Sequence, residues 1–221
     1  MNTTRTTGPE LVLVRHGRSQ ANDRRVISNR DLPHDLTGPG REQALAVATE
    51  LAAHPYPVAA LYTSPIPRAR QTAQLIGLRL GADRIPLRLA PALSEIDCGV
   101  MEGRSDDVAW AAHDAALACW RAGDLAARVP GGESLLDVLG RVTPFLTEVA
   151  RRHARQDVQV VLVTHGSLLQ SVLPLVVAGL QADLVRPRPL PTGGIVRLVP
   201  QGAGLRCLSW DGTAPGSGAE H

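Results

Sequence analysis

Two stretches of this chain have the same shape. Leu11 to Ser19 reads LVLVRHGRS and Val160 to Leu168 reads VVLVTHGSL. Each runs branched apolar residues into one variable residue and then a His-Gly step. Apolar runs without alternation fit strands covered on both faces, as in a mostly parallel sheet. Ligands of open α/β sheets sit outside the carboxyl ends of the strands. The repeated pattern therefore places two imidazoles, His16 and His165, where such a fold does its chemistry.

The rest of the chain supplies the other parts of a layered α/β fold. Further strands are expected at 59–62 and 195–199, with a weaker one at 205–209, and the two HG strands cover 11–14 and 158–163. Helical patterns lie between them. One opens with Thr37 as N-cap and a proline in its first turn. A second starts at Ser64 and Pro65 and stops at Gly81. A third runs from Ser134 to Arg155 with Pro144 as a candidate kink, and a fourth follows Ser167. Alternating strands and helices predict a three-layer α/β/α architecture around a mostly parallel central sheet. Residues 95–132 read as a cap-like insertion within a single domain spanning 10–210, with flexible tails at 1–9 and 211–221. In that insertion, Trp110 and Trp120 are expected to pack in the core.

Composition narrows the function classes. The 221 residues carry a net charge of +2, and every basic side chain is arginine, so a polyelectrolyte partner such as nucleic acid is not indicated. Cys98, Cys119 and Cys207 are scattered and odd in number, which fits a reducing compartment better than a disulfide framework or a zinc site. The first ten residues have no apolar core of a secretory signal, and the longest apolar stretch is broken by Gln170, Ser171 and Pro174. The expectation is a cytoplasmic protein without a membrane partner.

At the strand ends, Arg15 precedes His16, and Arg68 falls in the first turn of the helix after Ser64. Helix N-termini favour anions, and arginine adds a bidentate clamp for phosphate. Two arginines beside two histidines oppose a metal cation and suit a phosphoryl group.

LVRHGRSQAN resembles the signature of the histidine phosphatase superfamily, the phosphoglycerate mutase-like proteins. TSPIPRARQTA is similar to the family's second arginine segment, LSEIDCGVMEG to its acid segment, PGGES to a recurrent helix start and VTHGS to its second histidine. The resemblance runs from Leu11 to about Val199. It implies a phosphoglycerate mutase-like fold and a phosphohistidine on His16. Arg15 and Arg68 would hold the phosphoryl oxygens, and His165 would donate a further hydrogen bond to them. Asn22 would help the pocket, and Glu95 would act as general acid and then base. The ring of His16 needs an acceptor for its other nitrogen, for which the Gly17 carbonyl is a candidate. Gly17 and Gly166 would let backbone and phosphate come close. No metal and no cofactor are implied.

Other residues have plainer readings. Glu102 is expected to stabilise a loop, Arg70 to lie on the surface, Cys98 to pack, and His34, His54, His113, His153 and His221 to be ordinary surface histidines. Arg18, Arg24, Arg25 and Arg30 form either a charged surface loop or a contact to a second acidic group on the substrate.

Three functions follow. The first is a metal-independent phosphomonoesterase acting on a small phosphorylated metabolite, for which a homodimer is compatible. The second is a phosphoglycerate mutase; against it, the segment from Arg104 to Pro130 is short and Ala-rich, which favours water as the acceptor. The third is a non-catalytic phospho-ligand binding protein, which would predict loss of a core residue, whereas all five are in place.

Overall fold

The computed structural model describes residues 8–30, 32–81 and 85–215. The strands β1 (Glu10–Arg15), β2 (Val58–Thr63) and β4 (Gln159–Thr164) form its centre. β1 and β2 each pair with β4 in parallel, and β3 (Leu87–Leu89) adds a parallel edge beyond β2. On the other side of β1, β6 (Ile195–Gln201) runs antiparallel and forms a hairpin with β7 (Gly204–Trp210). The two-residue strand β5 (Val177–Ala178) closes the order β3-β2-β4-β1-β6-β7-β5. Seven strands thus form one mixed, mostly parallel sheet.

The absence of alternation in the HG strands has its explanation in the burial. Side chains of a strand point to opposite faces in turn. Leu11, Leu13, Val160 and Leu162 pack on one face, with α5 (Leu135–Arg152) and α6 (Gly166–Val176). Val12, Val14, Val161 and Val163 pack on the other, with α2 (Gly38–Ala53) and α3 (Pro67–Leu80). Both faces are core, so both sets must be apolar. α5 meets the sheet through Leu135, Val138, Val142, Leu146 and Val149, the spacing of one helical face. It runs unbroken past Pro144.

Local signals set most boundaries. The Thr37 hydroxyl accepts from the Gly40 N–H at 3.2 Å, capping α2. Ser134 and Asp137 form a capping box at the start of α5. Gly81, with φ at +87°, ends α3. One helix start differs from expectation. α3 begins at Pro67, and the Ser64 hydroxyl accepts from the Ile66 N–H at 3.2 Å while lying 2.8 Å from His165 Nε2. Two short helices, α1 (Gln20–Arg24) and α7 (Ala182–Val185), were not expected; each is too short to show a helical period.

In the 95–132 segment, a 3₁₀ turn at Gly99–Met101 leads to α4 (Asp107–Arg121). Trp120 is buried in the main core, as expected. Trp110 packs against a smaller buried cluster of Ile27, Cys98 and Ala109, but it is partly exposed and its indole N–H donates to the Arg25 carbonyl at 2.7 Å. Of the expected tails, all but residues 8–9 and 211–215 lie outside the described residues; Gly8 N–H donates to Asp157 and Trp210 bridges to Thr213. Among the described residues no helix is long and apolar enough to cross a membrane.

Candidate active site

Parallel pairing of β1 with β4 puts Arg15 opposite Thr164, so the next residues, His16 and His165, leave the sheet side by side. The His16 N–H donates to the Thr164 carbonyl at 2.9 Å, and the two rings meet edge to face with centroids 5.1 Å apart. The neighbouring end of β2 leads through Ser64 into α3, whose first turn carries Arg68. Three adjacent strand ends therefore build one site.

Arg68 is the hub. It is 5% exposed, and its Nε donates to His16 Nε2 at 2.9 Å. Nη1 donates to the Ser28 carbonyl, and Nη2 lies 3.2 Å from His165 Nδ1. A guanidinium can only donate, which fixes the His16 tautomer. Nε2 carries the ring's lone pair, which accepts from Arg68, and the proton sits on Nδ1, which donates to the Gly17 carbonyl at 2.7 Å. The acceptor anticipated from the sequence is the one observed. By the same logic His165 accepts from Arg68 at Nδ1 and donates from Nε2 to the Ser64 hydroxyl. Both nitrogens of His165 are thus hydrogen-bonded in this structure, to Arg68 and to Ser64.

The electrostatics favour an anion. Burial pushes both histidines well below their ordinary pKa, and Arg68 adds to this, so each imidazole is neutral. Burial lowers the Arg68 guanidinium to about 10, with Glu95 opposing the shift. Arg15 is lowered in the same way, again opposed by Glu95. Its Nη1 donates to the Leu190 carbonyl, while its buried Nε has no hydrogen-bond partner. Among the described residues neither guanidinium makes an ion pair with a carboxylate. Two buried cations left in that state are costly, and an anion bound between them offsets the cost.

Glu95, 6% exposed, sits at the start of α6. Its Oε1 accepts from Ile96 N–H at 3.1 Å and Leu168 N–H at 2.8 Å, and Oε2 accepts from Ser167 N–H at 3.1 Å. A carboxylate oxygen has two lone-pair sites. Oε1 is therefore fully used and Oε2 keeps one site, where a proton can be held.

These groups line a cavity of about 140 Å³, shared by Arg15, His16, Asn22, Arg68, Glu95 and Gly166. Asn22 spends its Oδ1 on the Ser19 N–H and hydroxyl, each at 3.0 Å, which leaves its amide N–H₂ for the cavity. Gly166 is required by Arg15: a Cβ there would lie 2.9 Å from the guanidinium Nε. Gly17 has a different reason from the one expected. It does not line the cavity; a Cβ would lie 2.2 Å from the Gly40 carbonyl oxygen, so it serves a close backbone approach to the start of α2.

Arg18, Arg24, Arg25 and Arg30 do not line the cavity. Arg18 is held by Asp23, and Arg30 makes two 3.0 Å hydrogen bonds to Asp97. Glu102 accepts from the Asn29 and Cys98 N–H groups, bracing the loop as expected. Cys98 is buried, with its thiol pushed up to about 12, mainly by burial, and packs with Ile27 and Ala109. His113, expected on the surface, lines the cavity together with Trp110, Ser167 and Gln170. The signal for these four was their spacing on α4 and α6, which becomes informative once both helices are seen to face the site. Among the described residues, no three His, Cys, Asp or Glu side chains come together in a way that could hold a metal ion.

This constellation brings together the residues that the sequence resemblance named, in an arrangement that suits an anion. Residues 11–213 match the model of the histidine phosphatase superfamily (branch 1), and the chain belongs to that family. A 2,3-bisphosphoglycerate-dependent phosphoglycerate mutase of Methylobacterium radiotolerans is 34% identical over 184 residues, 83% of this chain and 85% of that protein. A mycobacterial glucosyl-3-phosphoglycerate phosphatase, solved with VO3, superposes with a TM-score of 0.73 at 26% identity, over 91% of this chain and 98% of the other. The α-ribazole phosphatase from Shigella flexneri shares the fold, with a TM-score of 0.70 at 22% identity over 95% of this chain and all of the other.

Proposed function

We propose that the protein is a metal-independent phosphomonoesterase that hydrolyses a small phosphorylated metabolite through a phosphohistidine on His16. The observation that carries this is the 2.7 Å hydrogen bond from His16 Nδ1 to the Gly17 carbonyl, which leaves the lone pair of a neutral, buried imidazole on Nε2, at a site flanked by two guanidiniums; phosphorus takes the place of the Arg68 Nε–H on that lone pair. A neutral imidazole is a competent nucleophile, and a covalent intermediate divides one difficult displacement into two. In the first, Nε2 forms a bond to phosphorus as the bond to the leaving oxygen breaks. Glu95 gives its proton to that oxygen, and the alcohol departs. In the second, water attacks phosphorus, Glu95 takes its proton, the P–N bond breaks, and inorganic phosphate leaves. Arg15 and Arg68 stabilise the charge on the equatorial oxygens throughout. His165 and Ser64 keep Arg68 in position, and the Asn22 amide faces the same group. The 95–132 segment would act as a cap, since its Trp110 and His113 form one wall of the cavity.

The test is hydrolysis of an aryl phosphate in EDTA by the native chain and by His16→Ala. Activity that survives the chelator and is lost in the variant is expected. Loss in EDTA, or survival in His16→Ala, would overturn the reading.

The 34% identity to a phosphoglycerate mutase favours a second reading, in which the phosphohistidine returns its phosphoryl group to a phosphoglycerate. Interconversion of 2- and 3-phosphoglycerate, dependent on 2,3-bisphosphoglycerate and faster than their hydrolysis, would establish it. The phosphatase reading predicts hydrolysis without interconversion.

A further inference from the structure

A second cavity, of about 230 Å³, adjoins the first across Ser167 and Gln170, which line both. Along α4, Trp110 and His113 face the first, and Leu117, Trp120 and Arg121 face the second. Their spacing is that of one helical face. Along α6, Ser167 and Gln170 are followed by Ser171 and Pro174 on the same face. The two helices therefore wall one trough that leads away from His16. From Ser167 to Pro174 the helix advances about 10 Å, at about 1.5 Å per residue. Most of the lining is apolar, and the far end carries Arg121 and Arg186. Among the described residues Arg121 has no ion pair, while Arg186 has one at 3.8 Å to the exposed Asp183.

In-line transfer puts the leaving oxygen opposite His16, beside the acid that protonates it. Glu95 Oε2 accepts from the Ser167 N–H, so the alcohol emerges where the trough begins. We infer that the second cavity holds the alcohol part of the substrate. The preferred phosphomonoester then has an elongated, mainly apolar alcohol about 10 Å long, from the rise of about 1.5 Å per residue, with an acidic group at its far end for Arg121 and Arg186. This rests on the phosphatase reading and adds the substrate class to it.

The experiment compares kcat/KM for ethyl phosphate, octyl phosphate and 8-carboxyoctyl phosphate. Each methylene buried is worth roughly threefold to fourfold, so the octyl ester should exceed the ethyl ester by at least about tenfold. Ser171→Phe, which fills the trough, should bring the octyl-to-ethyl ratio close to unity. The terminal carboxylate should add about twofold to fivefold, as for an exposed ion pair, and Arg121→Ala should remove that gain. Equal rates for ethyl and octyl esters would overturn the inference and leave the phosphatase reading standing. So would a chain-length preference that persists in Ser171→Phe. No hydrolysis of any of the three would overturn both.

Discussion

Ser64 was read from sequence as a helix-starting residue, and its actual neighbour is His165. Its hydroxyl accepts the Nε2–H of the tautomer that Arg68, which can only donate, imposes at Nδ1. Ser64→Ala removes that acceptor without changing the charge of the site. A hydrogen bond of about 1.4 kcal/mol corresponds to about a tenfold drop in kcat/KM. Steady-state kinetics with an unchanged circular dichroism spectrum should show it; wild-type kinetics would mean that His165 keeps Arg68 in position without this acceptor. The same two histidines govern acid stability. Both are held neutral with pKa well below 6.5, so the unfolded chain binds more protons once the pH falls below that value. Their stability contribution is present above the unfolded pKa and is lost on acidification, by up to about 1.4 kcal/mol per pH unit for each histidine. Urea midpoints at pH 7.0 and 5.5 should differ accordingly, and His165→Gln should flatten the dependence. Which nitrogen carries each proton was not legible in the sequence, because it depends on partners 52 and 101 residues away.

At the scale of elements, the start of α6 holds the Glu95 carboxylate through the Ser167 and Leu168 N–H groups and leaves room for Arg15 at Gly166. Glu95→Gln retains the volume but cannot hold a transferable proton. General acid catalysis is worth roughly 10²- to 10⁴-fold, and the loss should be of that order for alkyl phosphates and much smaller for nitrophenyl phosphate, whose leaving group needs no proton. An equal loss for both esters would make Glu95 a positioning residue. Gly166→Ala brings a methyl group within 2.9 Å of Arg15 Nε, at the far end of a flexible side chain. It should therefore raise KM by displacing the guanidinium while leaving the thermal midpoint within a few degrees. Elements with caps or continuous apolar runs were legible in advance. α1, α7, β3 and β5 were not, since none is long enough for a periodic pattern to repeat recognisably. The cap's α4 was legible as a helix, but its orientation was not: Trp110 turns to a loop carbonyl of Arg25, a pairing set by tertiary structure.

For the whole molecule, the doubled His-Gly pattern follows from one topological fact. β1 and β4 are adjacent and parallel, so identical strand-to-His steps deliver two imidazoles 5.1 Å apart at the same edge. That much could be anticipated, because apolar runs and strand-end residues are local properties. The trough beyond the site could not, because it lies between two helices whose relative placement only the folded chain defines. The central claim is that His16 itself carries the phosphoryl group during turnover. The most direct measurement is acid-free quenching of the protein during hydrolysis, followed by mass spectrometry of peptides containing residues 11–18. An acid-labile, base-stable mass addition of one phosphoryl group on His16, absent from His16→Ala, is predicted. Turnover with no phosphoryl adduct on this peptide, under conditions where the second step is made limiting, would contradict the account.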